Sequence, residues 1–347
     1  MIKVDYIIVG LGIAGISICE QLQKHGKSFL VIDNGKDGST AKSGGVFNPT
    51  VLKRFTAAWN AADFYPVAVC FYNQLSEKLH QNIFSEIPIL RIFKGVEEQN
   101  NWTVASDKLE LRNFLSSKFF KNTNSNVLAP FGFGEVLGTA QIQTENLLFL
   151  YRNYLKNKDA LLSEEFQYEA LQQNENSVVY KDISAKKIIF AEGSKAIDNP
   201  FFPKQTIIGN KGEYLIIKAP SLKLEQLLKG SMYVIPLGND NYKVGATYSR
   251  DDYSLNSTEQ AKEEILSKVK SFIFCPFEII GQTAGIRPTT KDHRPLLGSL
   301  EETPNLIFFN GLGSRGFLMA PLLAEILLKH LAAGMPIPKE MDIKRML

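Results

Sequence analysis

The chain has 347 residues, 44% of them hydrophobic, which is enough for roughly two domains with buried cores. Its 39 basic and 36 acidic side chains leave a net charge of +3, so composition does not indicate binding to nucleic acid or an anionic membrane. Cys19, Cys70 and Cys275 are scattered and odd in number, which fits neither a disulfide framework nor a CxxC metal site. We therefore expect a cytoplasmic protein without a metal.

The chain opens with a strand, a glycine turn, a helix and a second strand. Val4–Val9 is apolar on both faces, as in a central parallel strand, and Phe29–Asp33 follows a helical stretch that stops near Gly26. The first apolar run is too short for a signal peptide or for a membrane span of about 20 residues. This order predicts a βαβ unit of a parallel sheet, and we expect no membrane segment.

The motif Gly10-x-Gly12-x-x-Gly15 lies at the turn between that strand and helix, and Asp33 ends the next strand. In this motif the first glycine permits the tight turn, the second lets backbone approach a pyrophosphate, and the third allows close helix packing. The helix N-terminus offers amide groups to phosphates, and Asp33 can accept hydrogen bonds from ribose hydroxyls. The motif predicts a dinucleotide site, for NAD or FAD; the structural alternative is a turn with incidental glycines.

A loop rich in glycine and serine follows over residues 34–50 and is longer than a simple connection requires, which favours function or mobility. The next stretch, from Arg54 to about His80, is aromatic and helical, and we interpret its aromatic residues as packing. Further along the chain we predict a strand at Ile87–Phe93, helices at Lys108–Phe120 and Glu145–Lys156, and a buried strand at Lys186–Gly193.

Between residues 205 and 248 the pattern changes to strands, and the tail returns to strand, glycine turn and helix. The predicted elements are the strands Tyr214–Lys218, Met232–Ile235, Tyr242–Thr247 and Leu306–Asn310 and the helix Phe317–Ala333. They predict an α/β fold in which a Rossmann-like dinucleotide domain is interleaved with an antiparallel-sheet substrate domain. The first domain takes residues 1–53, 140–204 and 283–347, and the second takes residues 54–139 and 205–282.

Four blocks carry a resemblance that covers essentially the whole chain: the glycine motif, the Ser39–Pro49 loop, the Ile188–Gly193 strand end, and Ala284–Gly298 with Asn310–Pro321. In order and spacing they resemble the FAD-dependent D-amino acid oxidase superfamily. The run Gly-Ile-Arg-Pro-Thr-Thr-Lys-Asp is similar to glycine oxidase. Lys-Asp-His-Arg-Pro-Leu-Leu-Gly and the turn Leu312–Gly316 resemble the FAD-dependent C-terminal half of the bifunctional tRNA 5-methylaminomethyl-2-thiouridine enzyme.

The resemblance implies a glutathione-reductase-like flavoprotein fold with non-covalent FAD, because Cys275 lacks the motif of covalent attachment. It implies oxidation of a C–N bond in an amino-acid-like or N-carboxymethyl amine, by hydride transfer to flavin N5. Arg287 would hold the substrate carboxylate with its two-pronged guanidinium, and the structural alternative for it is an interface salt bridge. Tyr233 and Tyr248 would bind and orient the substrate, or be ordinary strand aromatics. We interpret His293 as a turn residue.

The resemblance also implies a set of cofactor contacts, in which the last helix presents its N-terminal end to the flavin. They are Gly10, Gly12, Ile13, Ala14, Gly15, Asp33, Asn34, Ser39, Thr40, Ser43, Gly44, Gly45, Phe47, Asn48, Phe166, Gly193, Arg287, Gly313, Ser314, Arg315, Gly316, Phe317 and Leu318.

The expected partner is a small-molecule amine or amino acid. A tRNA-borne amine is the alternative, although basic residues occur only in pairs such as Lys53-Arg54 and Lys344-Arg345, and nucleic-acid affinity depends on many phosphate contacts. The second class of function is a non-catalytic FAD-binding module. That class is disfavoured by the presence of Arg287 and both tyrosines.

Overall fold

The computed structural model describes residues 1–36, 38–250 and 252–347; Asp37, in the predicted 34–50 loop, and Asp251 lie outside the described residues. The helices α1 to α7 are Ile13–Lys24, Ser39–Lys42, Ala61–Lys78, Val96–Ser106, Thr144–Lys156, Glu259–Lys270 and Gly316–Ala333. The strands β1 to β21 are Ile2–Val9, Phe29–Ile32, Val46–Phe47, Thr50–Val51, Thr56–Ala57, Phe84–Glu86, Ile89–Ile92, Leu115–Phe120, Phe133–Val136, Ala140–Ile142, Leu161–Leu162, Leu171–Asn174, Ser177–Tyr180, Ile183–Phe190, Ile208–Lys218, Leu227–Lys229, Tyr233–Gly238, Asn241–Gly245, Glu278–Thr289, Leu296–Gly298 and Leu306–Asn310.

The first sheet is parallel at its centre, in the order β11-β2-β1-β14-β21. The strands β13 and β20 join it as antiparallel neighbours of β14 and β21. Val9 pairs with Ile32 on one side and with Phe190 on the other, so three strands end side by side at one edge. The predicted βαβ opening is confirmed, and ligands of such sheets bind at this carboxyl edge.

The second sheet has the order β19-β15-β18-β17-β16-β7-β9-β8 and is antiparallel except where β16 meets β7. Its strands come from two separate parts of the chain, before and after the strands β11 to β14 of the first sheet. The long pair β15 and β19 brings Asn210 opposite Arg287. The predicted mixed α/β fold class is therefore confirmed, although the predicted domain boundary at residue 283 falls inside β19.

Helix α7 is long and apolar enough, by length and composition, to cross a membrane. In the fold it packs against α1 and α3, and its residues Phe317, Ala320 and Leu323 are buried in the core over the first sheet. A helix that is apolar nearly all round is typical of a protein core as well as of a membrane, and this packing accounts for the sequence of α7.

The predicted helix at Lys108–Phe120 is wrong. Residues 107–114 form turns, and Leu115–Phe120 is the edge strand β8, in which Phe120 pairs with Phe133 of β9. Pairing in the sheet supplies the backbone hydrogen bonds that a helix would have made, so tertiary context overrides the local pattern. The predicted helix from Arg54 begins only at Ala61, because β4 and β5 form a hairpin before it.

Candidate active site

A cavity of about 580 Å³ runs from the carboxyl edge of the first sheet to the second sheet, where β15, β17 and β19 contribute its wall. The structure brings most of the predicted site residues together around it. The exceptions are Gly15, Phe47 and Leu318, which do not line this cavity.

The glycine motif forms the turn at the first end of the cavity, as predicted. Gly10 has φ of +94°, and a Cβ there would lie 2.7 Å from the carbonyl oxygen of Ala191. A Cβ on Gly15 would lie 2.1 Å from the carbonyl oxygen of Gly10, so this position serves packing and not ligand contact. Gly12, Ile13 and Ala14 at the start of α1 line the cavity, and Gly12 has no side chain to cap the helix, so this end of α1 is suited to a phosphate.

Asp33 stands beside this turn with a carboxylate that is already ordered. One oxygen accepts from the Leu11 amide at 2.9 Å, and the other accepts from the Gly35 amide at 2.9 Å. Arg152 of α5 donates to the same carboxylate at 3.3 Å, and its Nε is buried without a hydrogen-bond partner among the described residues. Arg152 lines the cavity and was missed by sequence reasoning. The helical pattern of α5 does not show whether a polar side chain such as Arg152 faces solvent or a cavity.

Glu192 is a second residue that the sequence did not single out. It follows β14 and lines the cavity, with Tyr168 Oη and Asn199 Nδ2 each donating to its carboxyl at 2.7 Å. Burial raises the pKa of Glu192 to about 7 in spite of these donors. Burial thus favours the uncharged form of this carboxyl over the carboxylate.

The loop after β2 lines the cavity and is tied both to α1 and to the second sheet. Thr40 Oγ1 accepts from the Ile13 amide at 3.1 Å, which holds the loop on the start of α1. The buried Lys243 of β18 donates from Nζ to the Ser43 carbonyl at 2.8 Å, and burial lowers the pKa of Lys243 to about 8. The peptide that precedes Gly44 is therefore fixed by a residue of the second sheet.

Arg287 of β19 lies at the other end of the cavity. Its guanidinium sits 4.4 Å from the ring centroid of Tyr248, and Nη1 is 3.4 Å from both Asn210 Oδ1 and the Thr247 carbonyl. A Cβ on Gly212 would come within 2.2 Å of Nη2, so the glycine makes room for this side chain. Arg287 forms no salt bridge with any described carboxylate, which gives no support to the structural alternative.

A second guanidinium and two phenols complete this end. Arg315 donates to the carbonyls of Asn48 and Thr50, and burial lowers its pKa. Tyr233 accepts from Asn48 Nδ2 at 3.2 Å, and burial raises the pKa of its hydroxyl. Tyr214, which sequence reasoning missed, also lines the cavity; burial raises its pKa, while Arg287 lowers it. This second end of the cavity thus holds the two cations Arg287 and Arg315. It also holds the phenols of Tyr233 and Tyr214, which keep their protons.

Besides Gly15, two predicted residues, Phe47 and Leu318, lie outside the cavity. Phe47 was expected beside the flavin, but it is buried against Tyr72 and Phe84, with ring centroids 6.1 Å and 5.4 Å away. Packing against these aromatic residues of α3 and β6 holds the Phe47 side chain in the core and away from the cavity. Leu318 faces a smaller pocket next to the cavity, and His293, in the left-handed region at φ of +59°, lines the same pocket.

Cys275 does not line the cavity and is buried in the core of the second sheet, where burial raises the pKa of its thiol. Within residues 1–36, 38–250 and 252–347, no three His, Cys, Asp or Glu side chains are grouped so that they could hold a metal ion.

The donor set fits FAD. The first end offers amides at a helix start, the ordered carboxylate of Asp33 and the unpartnered Nε of Arg152, which suit a pyrophosphate and a ribose. The second end is lined by polar and aromatic side chains together with Gly44 and Gly45, which suits a planar ring. Residues of this chain would therefore hold an extended dinucleotide along the whole cavity.

Comparison with known proteins agrees with this geometry. Over 345 residues the chain is 23% identical to glycine oxidase of Bacillus subtilis strain 168, an alignment that covers 91% of this chain and 90% of that enzyme. It is 35% identical over 111 residues to the tRNA 5-methylaminomethyl-2-thiouridine biosynthesis bifunctional protein of Idiomarina loihiensis. That match covers 31% of this chain and only 18% of the bifunctional protein.

Among solved structures, iminodiacetate oxidase from Chelativorans sp. BNC1 superposes with a TM-score of 0.76 at 19% identity, over 96% of this chain and 97% of that one. This likeness shows a shared fold. The sequence model of the FAD dependent oxidoreductase family, DAO, matches residues 5–329. The chain belongs to the DAO family of FAD-dependent oxidoreductases.

Proposed function

We propose that this protein oxidises the C–N bond of an amine that bears a carboxymethyl group, as free glycine or an N-substituted glycine does. The observation that carries the proposal is Arg287, a cation in the cavity wall that has no described carboxylate as partner. A substrate carboxylate supplies that partner in a two-pronged pair. Similarity to glycine oxidase and to iminodiacetate oxidase supports the same handle, because both substrates named there carry carboxymethyl groups.

FAD, when bound, supplies a two-electron acceptor. An amine R–NH–CH2–COO⁻ loses two electrons and two protons to give R–N=CH–COO⁻, and water then cleaves this imine to R–NH2 and glyoxylate. Arg287 fixes the carboxylate, and the Tyr248 ring and Asn210 fix the guanidinium, so the CH2 group is held in one place. Tyr233 and Tyr214 keep their protons and can donate hydrogen bonds to a bound anion.

A second candidate is the same reaction on a carboxymethylaminomethyl group of a tRNA uridine. The similarity to the bifunctional tRNA protein favours it, and Arg287 would serve the same carboxylate. We further propose that the protein works in the cytoplasm and that FAD is not covalently attached, in keeping with the position of Cys275 away from the cavity.

The test is an anaerobic reduction assay on the purified holoprotein. Glycine, sarcosine, iminodiacetate, proline, D-alanine and tRNA with the carboxymethylaminomethyl modification are mixed with the enzyme, and bleaching of the flavin absorbance is followed. We expect bleaching with the carboxymethyl amines and not with proline or D-alanine, in which the carbon next to the carboxylate is substituted. If dithionite bleaches the flavin and none of the amines does, the proposal fails and the non-catalytic FAD module is correct.

A further inference from the structure

A buried ion pair lies on β15 and has no part in the reaction derived above. Lys211 and Glu213 are 1% and 2% exposed, and Lys211 Nζ lies 3.5 Å from Glu213 Oε1. Successive side chains of a strand point to opposite faces, so this pair lies on the face of β15 opposite to Asn210 and Gly212, which adjoin Arg287. Because two buried charges are costly to remove from water, the pair depends on further hydrogen bonds.

The hydrogen bonds of Lys211 run to the segment that follows β18. Its ammonium donates to the carboxylate of Asp252, to Ser254 Oγ at 3.3 Å and to the Asn256 carbonyl. Its backbone exchanges two hydrogen bonds with the backbone of Ser249, at 2.8 Å and 2.9 Å. One buried lysine therefore holds four residues of this segment against β15.

Glu213 holds the same segment at its two ends. At the far end, where α6 begins, its carboxylate accepts from the Thr258 amide and from Thr258 Oγ1, both at 2.9 Å. At the near end its amide donates to Thr247 Oγ1 at 3.0 Å, and its carbonyl accepts from the Thr247 amide at 3.2 Å. Gln282 Nε2 also donates to the carboxylate, at 2.8 Å, so Glu213 keeps hydrogen-bond donors when Lys211 is replaced.

Tyr248 is the residue that this arrangement places on the substrate clamp. It lies between Thr247 and Ser249, which are both hydrogen-bonded to β15, and its ring lies 4.4 Å from the Arg287 guanidinium. The Tyr248 side chain is 69% exposed, so core packing does not hold the ring in place. Its position on Arg287 therefore depends on how the backbone on either side of it is fixed.

Leu255 is a second residue of this segment that lines the cofactor cavity. It is flanked by Ser254 and Asn256, and both neighbours accept hydrogen bonds from the Lys211 ammonium. The Leu255 side chain is also mostly exposed, so these hydrogen bonds, more than core packing, fix its place in the cavity wall.

Resting on the proposed function, we propose that Lys211 is a positioning residue for substrate binding, because its ammonium holds Tyr248 on the Arg287 guanidinium and Leu255 at the cavity wall. Lys211 itself does not line the cavity and acts through these two residues. Side chains that are held in place before a ligand enters lose little freedom on binding, so the carboxylate binds more tightly.

Binding is tested apart from turnover with methoxyacetate, a carboxylate that has no oxidisable nitrogen. Calorimetry on the holoenzyme should show at least about tenfold weaker binding in Lys211→Met, the expected effect of two side chains that must be ordered on binding. FAD affinity should stay within about threefold of the wild type, because the phosphate and ribose end of the cavity is untouched. Lys223→Met is the matched control: Lys223 pairs with Asp240 at 3.4 Å, is exposed and lies outside the cavity, and its variant should bind methoxyacetate like the wild type.

The dependence on Tyr248 and Leu255 separates positioning from a general loss of stability. In a background with Tyr248→Ala and Leu255→Ala, Lys211→Met should weaken methoxyacetate binding by less than about threefold, because neither side chain is left to position. If Lys211→Met fails to fold, Asp252→Ala combined with Ser254→Ala replaces it. These substitutions remove two acceptors of the ammonium and should give the same loss with the same dependence.

Equal affinity of the wild type and Lys211→Met for methoxyacetate overturns the positioning role, as does a tenfold loss that persists without Tyr248 and Leu255. If binding is lost in Arg287→Ala but not in Lys211→Met, only the positioning role fails. If binding depends on both residues but no carboxymethyl amine reduces the flavin, the positioning role stands and the proposed function fails. A wild type that does not bind methoxyacetate contradicts both.

Discussion

At the scale of single residues, Asp33 shows which features of a site a sequence motif can predict. Its place at the end of β2, beside the glycine turn, could be predicted, because the backbone register of a βαβ unit fixes both. Its role at a ribose stays a prediction. Its partner Arg152 could not be predicted, since it is 119 positions away in sequence and approaches through the packing of α5. The same holds for Tyr214 and Glu192, which only the assembled sheets bring into the cavity.

The first prediction concerns Asp33→Ala. Loss of a charged acceptor for ribose hydroxyls costs about 1.5–3 kcal/mol, which weakens FAD binding by about ten- to a hundredfold. Flavin titration of the apoprotein measures this. Asp182→Ala, at an exposed position outside the cavity, is the matched control and should bind FAD like the wild type. Equal affinities of the two variants would remove Asp33 from the cofactor site.

The second prediction follows from Glu192, whose pKa burial raises from 4.5 to about 7. The folded protein holds this proton more tightly than the unfolded chain does. The stabilising contribution is therefore complete below the unfolded pKa and is lost as pH rises through the folded pKa. Glu192→Gln should lose less free energy of unfolding than the wild type between about pH 4.5 and pH 7.

Denaturant unfolding across that pH range measures the difference, with Glu169→Gln as the control at an exposed carboxyl. Parallel pH profiles of wild type and Glu192→Gln would show that the buried carboxyl does not titrate in this window.

At the scale of elements, the turn between β1 and α1 depends on the approach of helix to strand. Gly15→Ala places a Cβ 2.1 Å from the Gly10 carbonyl oxygen, so α1 must move away from β1 and carry the phosphate-binding amides with it. We expect loss of FAD affinity by at least about tenfold together with a lower melting temperature. In Gly95→Ala, at the start of α4, the new Cβ meets no atom within 4 Å, and both properties should stay near wild type. FAD titration and thermal melting of the two variants check this pair.

Elements were predictable where their pattern is local and repeated along the chain. Helix α5 carries an apolar period that matches its buried face, while β1 and α7 carry nearly continuous apolar runs that match their place in the core. The prediction of a helix at Lys108–Phe120 was wrong because β8 is stabilised by pairing with β9, which lies later in the sequence. Helix α4 escaped prediction because its sequence is mostly polar and only Trp102, Ala105 and Ser106 are buried.

At the scale of the whole molecule, the cavity is shared by the two sheets, and the loop after β2 is tied to β18 by Lys243. The order of blocks along the chain made the interleaved arrangement predictable. The shape of the shared cavity could not be predicted, because it depends on how the two sheets pack against each other.

A bound cofactor should therefore stabilise both halves together. With FAD at about 100 times its dissociation constant, linkage adds about 2.7 kcal/mol to the free energy of unfolding. Calorimetry should show a single transition that moves to higher temperature in the holoprotein. Two transitions of which FAD moves only one would contradict a cofactor site shared by both sheets.

The carboxylate bound by Arg287 is the central claim. Its most direct test is anaerobic flavin reduction in wild type and Arg287→Ala, with a carboxymethyl amine and with the same amine lacking its carboxylate. The account predicts an unchanged flavin spectrum and a loss of at least about a hundredfold in the second-order rate constant for the carboxymethyl amine only, with poor rescue by Arg287→Lys and none of this loss in the exposed Arg112→Ala. An Arg287→Ala variant that keeps its FAD and is reduced by the carboxymethyl amine as fast as the wild type would contradict it.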